Sequence, residues 1–399
     1  MKTAIIDAIR TPRGKGKAGG ALDGIRAADL LADLCRALSE RQPGIEHHLD
    51  DTLFGCVTQV GDQGSNIGKV ALMRAGWPAT VPGATINRFC ASGLSAVNIM
   101  AAQAEVADGI TLGGGVEMMS RTPMFGDNGV MFSDKDVAKS VGAVHPGLGA
   151  DLVATQHGIS RADCDDYAAL SQNRAEAARA EGKYRSIIPV RDAAGKIVLE
   201  HDETIRTGVT AKTLAALEPA FAKLGAGGGD ARLLAIFPEL STIHHIHHAG
   251  NAPAMADGAS LVLLARPQAA ARRGLQPRGH IIGTAEANVA ITQTGAVDAT
   301  RKALARAGLT PADIDLWEVR DSFAAVTLHY VRALGIDLEN FNVNGSSIAL
   351  GHPMGATGAM LVGTLLDELE ARNLRYGVVA IAGAAGVATA TVIERQQKQ

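Results

Sequence analysis

The chain has few aromatic residues, 4% of 399, and only four cysteines. Those cysteines, Cys35, Cys56, Cys90 and Cys164, form no C-x-x-C pair. Their spacing argues against a zinc site and against a disulfide framework, and no metal is expected. The excess of either charge is small, a formal -3 at pH 7, and basic residues are spread along the chain with acidic ones between them. Binding to nucleic acid or to an anionic membrane surface therefore has no electrostatic basis. No apolar run is long enough to span a membrane. Met1 to Asp7 reads as an immediate strand, not a targeting segment, so a cytoplasmic location is expected.

What the chain does have is glycine, 46 residues, and a hydrophobic fraction of 47%. That composition suits a close-packed α/β enzyme, and the length calls for more than one core. Residues 1–121 alternate strand and helix patterns. Ala27, Leu30, Leu31, Leu34 and Leu38 recur at helical spacing, Leu53 to Val60 reads as a buried strand, and Ile110 to Val116 as another. Residues 122–249 differ and read as an insertion. They hold a capping-box pattern at Ser160 to Asp163, a hairpin pattern from Ile187 to Leu199 and a glycine loop at Gly227 to Gly229. Residues 250–399 resume the α/β alternation, with strands at Ala259–Leu264, Ile281–Thr284 and Leu316–Val319. Two small-residue strands then flank Gly383 to Gly386.

The most informative stretch is Asn87-Arg88-Phe89-Cys90-Ala91-Ser92-Gly93-Leu94. A short β-prone segment precedes Cys90 and a helix pattern follows it. A cysteine on such a strand-to-helix turn meets the positive end of the helix dipole, which favours the nucleophilic thiolate. The second half repeats the device weakly. Asn344-Gly345-Ser346 leads to Gly351-His352-Pro353 and then to Gly355-Ala356-Thr357-Gly358. Two such halves facing each other bring Cys90 and His352 to one central cleft, as nucleophile and base.

These motifs, with Arg10-Thr11-Pro12 and Ala249-Gly250-Asn251, resemble the thiolase family from end to end. The resemblance implies two similar α/β halves in a layered α-β-α-β-α arrangement, with residues 122–249 as an inserted loop domain that covers coenzyme A. It implies a homodimer or homotetramer, no tightly bound cofactor, and acyl-CoA and CoA as substrates. Cys90 would attack the ketone of a 3-ketoacyl-CoA and His352 would take its proton. One oxyanion hole would use the backbone N–H groups of Cys90 and Ala382, and the other would use His352 with a water-holding residue. His248, Ala249 and Asn251 would lie along the CoA channel.

The sequence also departs from the family pattern. With the C-terminal glycine loop aligned on Gly386, Ala380 stands where a second cysteine is usual. The usual Asn-Glu-Ala-Phe reads Arg320-Asp321-Ser322-Phe323, so Arg320 replaces the water-holding Asn and Ser322 enters the site. Pro253 replaces a CoA-contacting Ser. Three functions stay open on this basis: thiolysis of a 3-ketoacyl-CoA, acyl transfer or thioester hydrolysis without carbon–carbon chemistry, and a non-catalytic thiolase-like subunit. The run His244 to His248 alternates faces, so each face offers too few ligands for a metal. It is expected to line a cleft, with His248 as a substitute proton relay.

Overall fold

The computed structural model describes residues 2–397. Twelve strands are formed: β1 (Thr3–Arg10), β2 (Gly14–Lys15), β3 (Asp51–Gly55), β4 (Ala84–Ile86), β5 (Ile110–Met118), β6 (Val190–Arg191), β7 (Ile197–Leu199), β8 (Ala256–Ala265), β9 (Gly279–Asn288), β10 (Leu316–Val319), β11 (Tyr376–Ala382) and β12 (Val387–Arg395). Hydrogen bonds join ten of them in the order β10-β11-β12-β9-β1-β8-β5-β3-β4, with β2 attached to β8. The junction between the two halves is short, Thr3–Ile5 against Gly279–Ile281. Each half mixes parallel and antiparallel pairs: β3 runs parallel to β4 and β5, and β10 runs parallel to β11.

Alternating side chains divide the interior into layers. On β8, Leu261 and Leu263 pack outward with Leu30 and Leu31 of the Ala27–Arg41 helix. Val262 and Leu264 pack inward with the Ser92–Ala107 and Met354–Ala371 helices. The same inner layer takes Leu316, Val379, Ile381 and Ile393 from the other half. Trp317, Val319, Ala380 and Ala382 face the far side, with the Gly295–Ala307 and Ala324–Leu334 helices. The order is therefore helix, sheet, central helix pair, sheet, helix. Burying these leucines and isoleucines contributes about 1.5–3 kcal/mol each.

The central pair of helices is held at close range by glycine. A Cβ on Gly93 would lie 2.5 Å from the Gly355 carbonyl, and one on Gly358 would lie 2.5 Å from the Leu94 nitrogen. Their N-termini therefore nearly touch, which sets the positions of Cys90 and His352.

Residues 122–249 add the Arg161–Ala180 helix, whose Ser160 and Asp163 form the expected capping box, and the β6–β7 hairpin. Two sequence expectations need correction, and the glycine loop is more tightly wound than its sequence implies. The strand expected over Leu53 to Val60 ends at Gly55, because the Glu117 carboxylate captures the N–H groups of Val57 and Thr58. The glycine loop at Gly227 to Gly229 is a tight kink, with Gly228 at φ 109°, between the helical turns Ala222–Leu224 and Asp230–Ile236. The histidine run lies in no sheet; it is anchored through Asp151 instead.

Candidate active site

Cys90 is the one partly exposed cysteine among the four; Cys35, Cys56 and Cys164 are buried. Burial pushes the Cys35 thiol up to about 12, and those of Cys56 and Cys164 higher still. Cys90 lies two residues ahead of the Ser92–Ala107 helix, on a turn in which Phe89 adopts φ 48°. Such a left-handed residue costs about 1–2 kcal/mol, so the turn needs bracing. Asn87 Oδ1 accepts the Phe89 N–H at 2.8 Å, and Ser92 Oγ donates to the Phe89 carbonyl at 2.6 Å. Asn87 Nδ2 in turn donates to the Val57 carbonyl at 3.0 Å.

His352 occupies the equivalent place in the second half, two residues ahead of the Met354–Ala371 helix. Its backbone N–H donates to Ala254 O at 2.8 Å. Its Nδ1 lies 2.7 Å from Thr357 Oγ1, and that hydroxyl is 3.1 Å from the Pro353 carbonyl. A hydroxyl that gives its proton to Pro353 can only accept from Nδ1–H, an arrangement that puts the lone pair on Nε2. Nε2 is buried and has no partner among the described residues. Burial, and then the cations of Arg320 and Arg13, hold the His352 pKa well below the usual histidine value. The His352 ring is thus held neutral, with Nε2 free among the described residues.

Arg320 and Ser322 follow β10, and both are buried. Arg320 Nη1 donates to Ser322 Oγ at 2.8 Å and to the Ala382 carbonyl at 2.6 Å, and its Nε has no partner among the described residues. Burial lowers the Arg320 pKa, while the charges of Cys90 and Asp321 act to raise it. The guanidinium is near enough to His352 for its charge to lower that ring's pKa. Asp321, pushed up to about 7 by burial, accepts from the Ile348 N–H at 2.8 Å and from Ser171 Oγ at 3.1 Å. It ties the Arg320 segment to the loop that carries His352.

Gly383 N–H donates to Val387 O at 2.7 Å. Ala382, one residue earlier, turns its N–H and C=O to the opposite edge, where β10 has already ended at Val319. A Cβ on Gly383 would lie 3.1 Å from the Cys90 nitrogen, so the glycine loop sits directly against the Cys90 turn. Ala380 is fully buried and packs with the outer apolar layer.

Two clefts reach this centre. One, of about 250 Å³, holds Cys90, Met354 and a wall of Met124, Phe125, Met131 and Phe132. The other, of about 510 Å³, is lined by Ala249, Ala254, Met255, Lys15, Lys17 and Arg206. Met255 pairs through its backbone with His352, so the second cleft opens beside that residue.

The residues expected along the CoA channel separate in the structure. Ala249 is exposed and lines the cationic cleft. His248 is buried and spends both ring nitrogens: Nε2 donates to Asp165 Oδ1 at 2.8 Å, and Nδ1 accepts from Gly250 N–H at 3.0 Å. It has no free nitrogen with which to relay a proton. Asn251 is buried too, donating to Asp165 and accepting from the His248 N–H. Its carbonyl accepts from Ala324 N–H, and His247 Nε2 accepts from Ala325 N–H, so this stretch docks on the helix that follows Ser322.

Sequence reading missed Thr357, Asp321 and Glu117 as positioning groups. Thr357 lay within a recognised motif, and its spacing from His352 was the available signal. Glu117 accepts from Val57, Thr58, Gly355 and Gln63. It clamps the support of the Cys90 turn to the start of the His352 helix. A lone Glu ending a strand gives no sequence signal for that.

Residues 3–229 match the model for the thiolase N-terminal domain and residues 275–395 that for the thiolase C-terminal domain. The chain is similar to the 3-ketoacyl-CoA thiolase of Aeromonas hydrophila, at 39% identity over 98% of each chain. It is 38% identical to that of Klebsiella pneumoniae over 99% of each, and 39% identical to that of Serratia proteamaculans over 98% of each. With its two halves placing a cysteine and a histidine ahead of paired helices, the chain belongs to the thiolase family.

Proposed function

We propose that this protein transfers acyl groups through a Cys90 thioester and that its reaction is thiolysis of a 3-ketoacyl-CoA by CoA, or the reverse condensation. The observation that carries the reading is the pair of buried, unpartnered nitrogens, His352 Nε2 and Arg320 Nε, in the charge environment of Cys90. A buried N–H or ring nitrogen without a partner costs about 1–3 kcal/mol, a penalty that a substrate atom can relieve.

In this reading His352 Nε2 takes the Cys90 proton and the thiolate attacks the ketone carbon. The developing oxyanion lies against the N–H groups of Cys90 and Ala382. The bond between the ketone carbon and the α-carbon breaks, leaving an acyl-Cys90 and the enolate of acetyl-CoA. The Arg320 cation, braced by Ser322, takes the place of a held water opposite the thioester oxygen, and the proton on His352 returns to the α-carbon. A second CoA thiol gives its proton to His352 Nε2, its thiolate displaces the acyl group from Cys90, and that proton returns to the Cys90 thiolate. CoA enters by the cleft at Ala249, where Lys15, Lys17 and Arg206 suit its phosphates. No tightly bound cofactor takes part, and the protein works as a homodimer or homotetramer.

One observation favours a second reading. Ala380 offers only a methyl group where the family's pattern has a proton-carrying thiol. Acyl transfer or hydrolysis through Cys90 would then persist without carbon–carbon cleavage. No helix among the described residues is long and apolar enough to cross a membrane. Incubation with 3-ketoacyl-CoA and CoA, read by chromatography of the CoA esters, decides between the readings. Thiolysis gives acetyl-CoA and an acyl-CoA two carbons shorter; hydrolysis to free CoA and a ketoacid supports the second reading and overturns the first.

A further inference from the structure

We propose that the Phe125–Phe132 pair is a partition at the end of the Cys90 cleft, and that the space behind it is a distal subsite for the far end of long acyl groups. The inference rests on the thiolysis reading. Behind the Cys90 cleft lies a second cleft of about 450 Å³, reaching to His145 and Arg232. The two share Phe125, Gly129, Met131 and Phe132 as a common wall. The rings of Phe125 and Phe132 lie 4.7 Å apart, and Phe132 meets Phe89, the neighbour of Cys90, edge-on at 6.4 Å. In a chain with only eight phenylalanines, three stand in this one row.

The occupant follows from chemistry and position. The cleft at Cys90 holds about 250 Å³, below the roughly 300–1,000 Å³ of common ligand pockets, and suits a short chain. Apart from Thr58, Asn87 and Asp127, its wall is mostly Met, Phe and Val, and no cation among the described residues lines it. The polyanionic half of CoA has its cations in the other cleft, beside Ala249. An acyl group on Cys90 therefore points toward Phe132, and each methylene added beyond it gains affinity only where the partition lets it pass. The partition thus sets chain-length preference.

The test compares the wild type with Phe132→Ala, Phe132→Leu and Phe132→Trp, all checked for folding by circular dichroism. Two readouts are used: kcat/KM for thiolysis of acetoacetyl-CoA and 3-ketododecanoyl-CoA, and calorimetric binding of butanoyl-CoA and dodecanoyl-CoA. Opening the wall should raise the long-to-short ratio by about tenfold or more in both readouts, and Phe132→Trp should lower it. Phe132→Leu should lie between wild type and Ala, and it carries the test if Ala fails to fold. Thiolysis with ratios unmoved in every folded variant overturns the partition. Binding ratios that shift in a protein that cleaves nothing overturn thiolysis and support the partition.

Discussion

Thr357 Oγ1 lies 2.7 Å from His352 Nδ1 and directs its own proton to the Pro353 carbonyl. One hydroxyl thereby fixes which nitrogen of the base is free. Thr357→Val keeps the shape and removes this restraint, and should lower kcat by about 10²-fold with little change in KM. Thr357→Ser should retain most of the activity. Equal losses in Val and Ser variants would contradict the assignment.

In the proposed reaction Arg320 is a fixed donor beside the thioester. Losing one such donor typically costs about 10²–10³ in kcat, and Arg320→Met should fall in that range. Arg320→Lys should recover little, because a single ammonium held by Ser322 and Ala382, as Nη1 is, leaves no second nitrogen in the place of Nε for the thioester oxygen. Arg320→Asn can rebuild a held water and should change substrate preference. Steady-state kinetics over several acyl chains reads all three, and an unchanged profile in Arg320→Asn would contradict the role.

Glu117 collects four N–H donors from three separated segments. Glu117→Gln places an amide NH₂ among those donors and leaves at least one of them unpaired. The expected cost is about 2–3 kcal/mol in urea unfolding, with a fall in activity because the Cys90 and His352 turns lose their common clamp. A variant as stable as wild type would show the clamp to be dispensable.

His245 supplies a pH dependence whose sign can be worked out. Burial pulls its pKa down, but hydrogen bonds to Asp151 at 2.8 Å and Asp230 at 3.1 Å prevail and leave it raised. The folded protein holds this proton more tightly than the unfolded chain. Its contribution is therefore complete below the ordinary histidine value of about 6.5 and is lost as pH rises past the folded value. Hydrogen exchange over residues 225–237, corrected for intrinsic rate, should show protection falling through that window. His245→Gln should flatten the response; a wild type with no slope there would contradict the pairing.

Much of the fold was legible because it depends on local pattern. The leucine spacing at Leu30, Leu31 and Leu34 named an outer helix, and Cys90 and His352 each announced a helix start by what followed them. What escaped was set by contacts distant in sequence. The strand from Leu53 stops early because Glu117 takes the next N–H groups. His248 lay nearest the Ala249 stretch in sequence, but in three dimensions Asp165 claims its ring. Arg320 was recognised as a departure, while its anchoring on Ala382 required the β11 turn to be in place.

The central claim is that Cys90 carries the acyl group during carbon–carbon cleavage. Intact-mass and peptide analysis after mixing enzyme with acetoacetyl-CoA, without free CoA, tests it most directly. The account predicts an acetyl adduct on the Cys90 peptide with one acetyl-CoA released per adduct, and none in Cys90→Ala. An unmodified Cys90, or an adduct formed without release of acetyl-CoA, would contradict it.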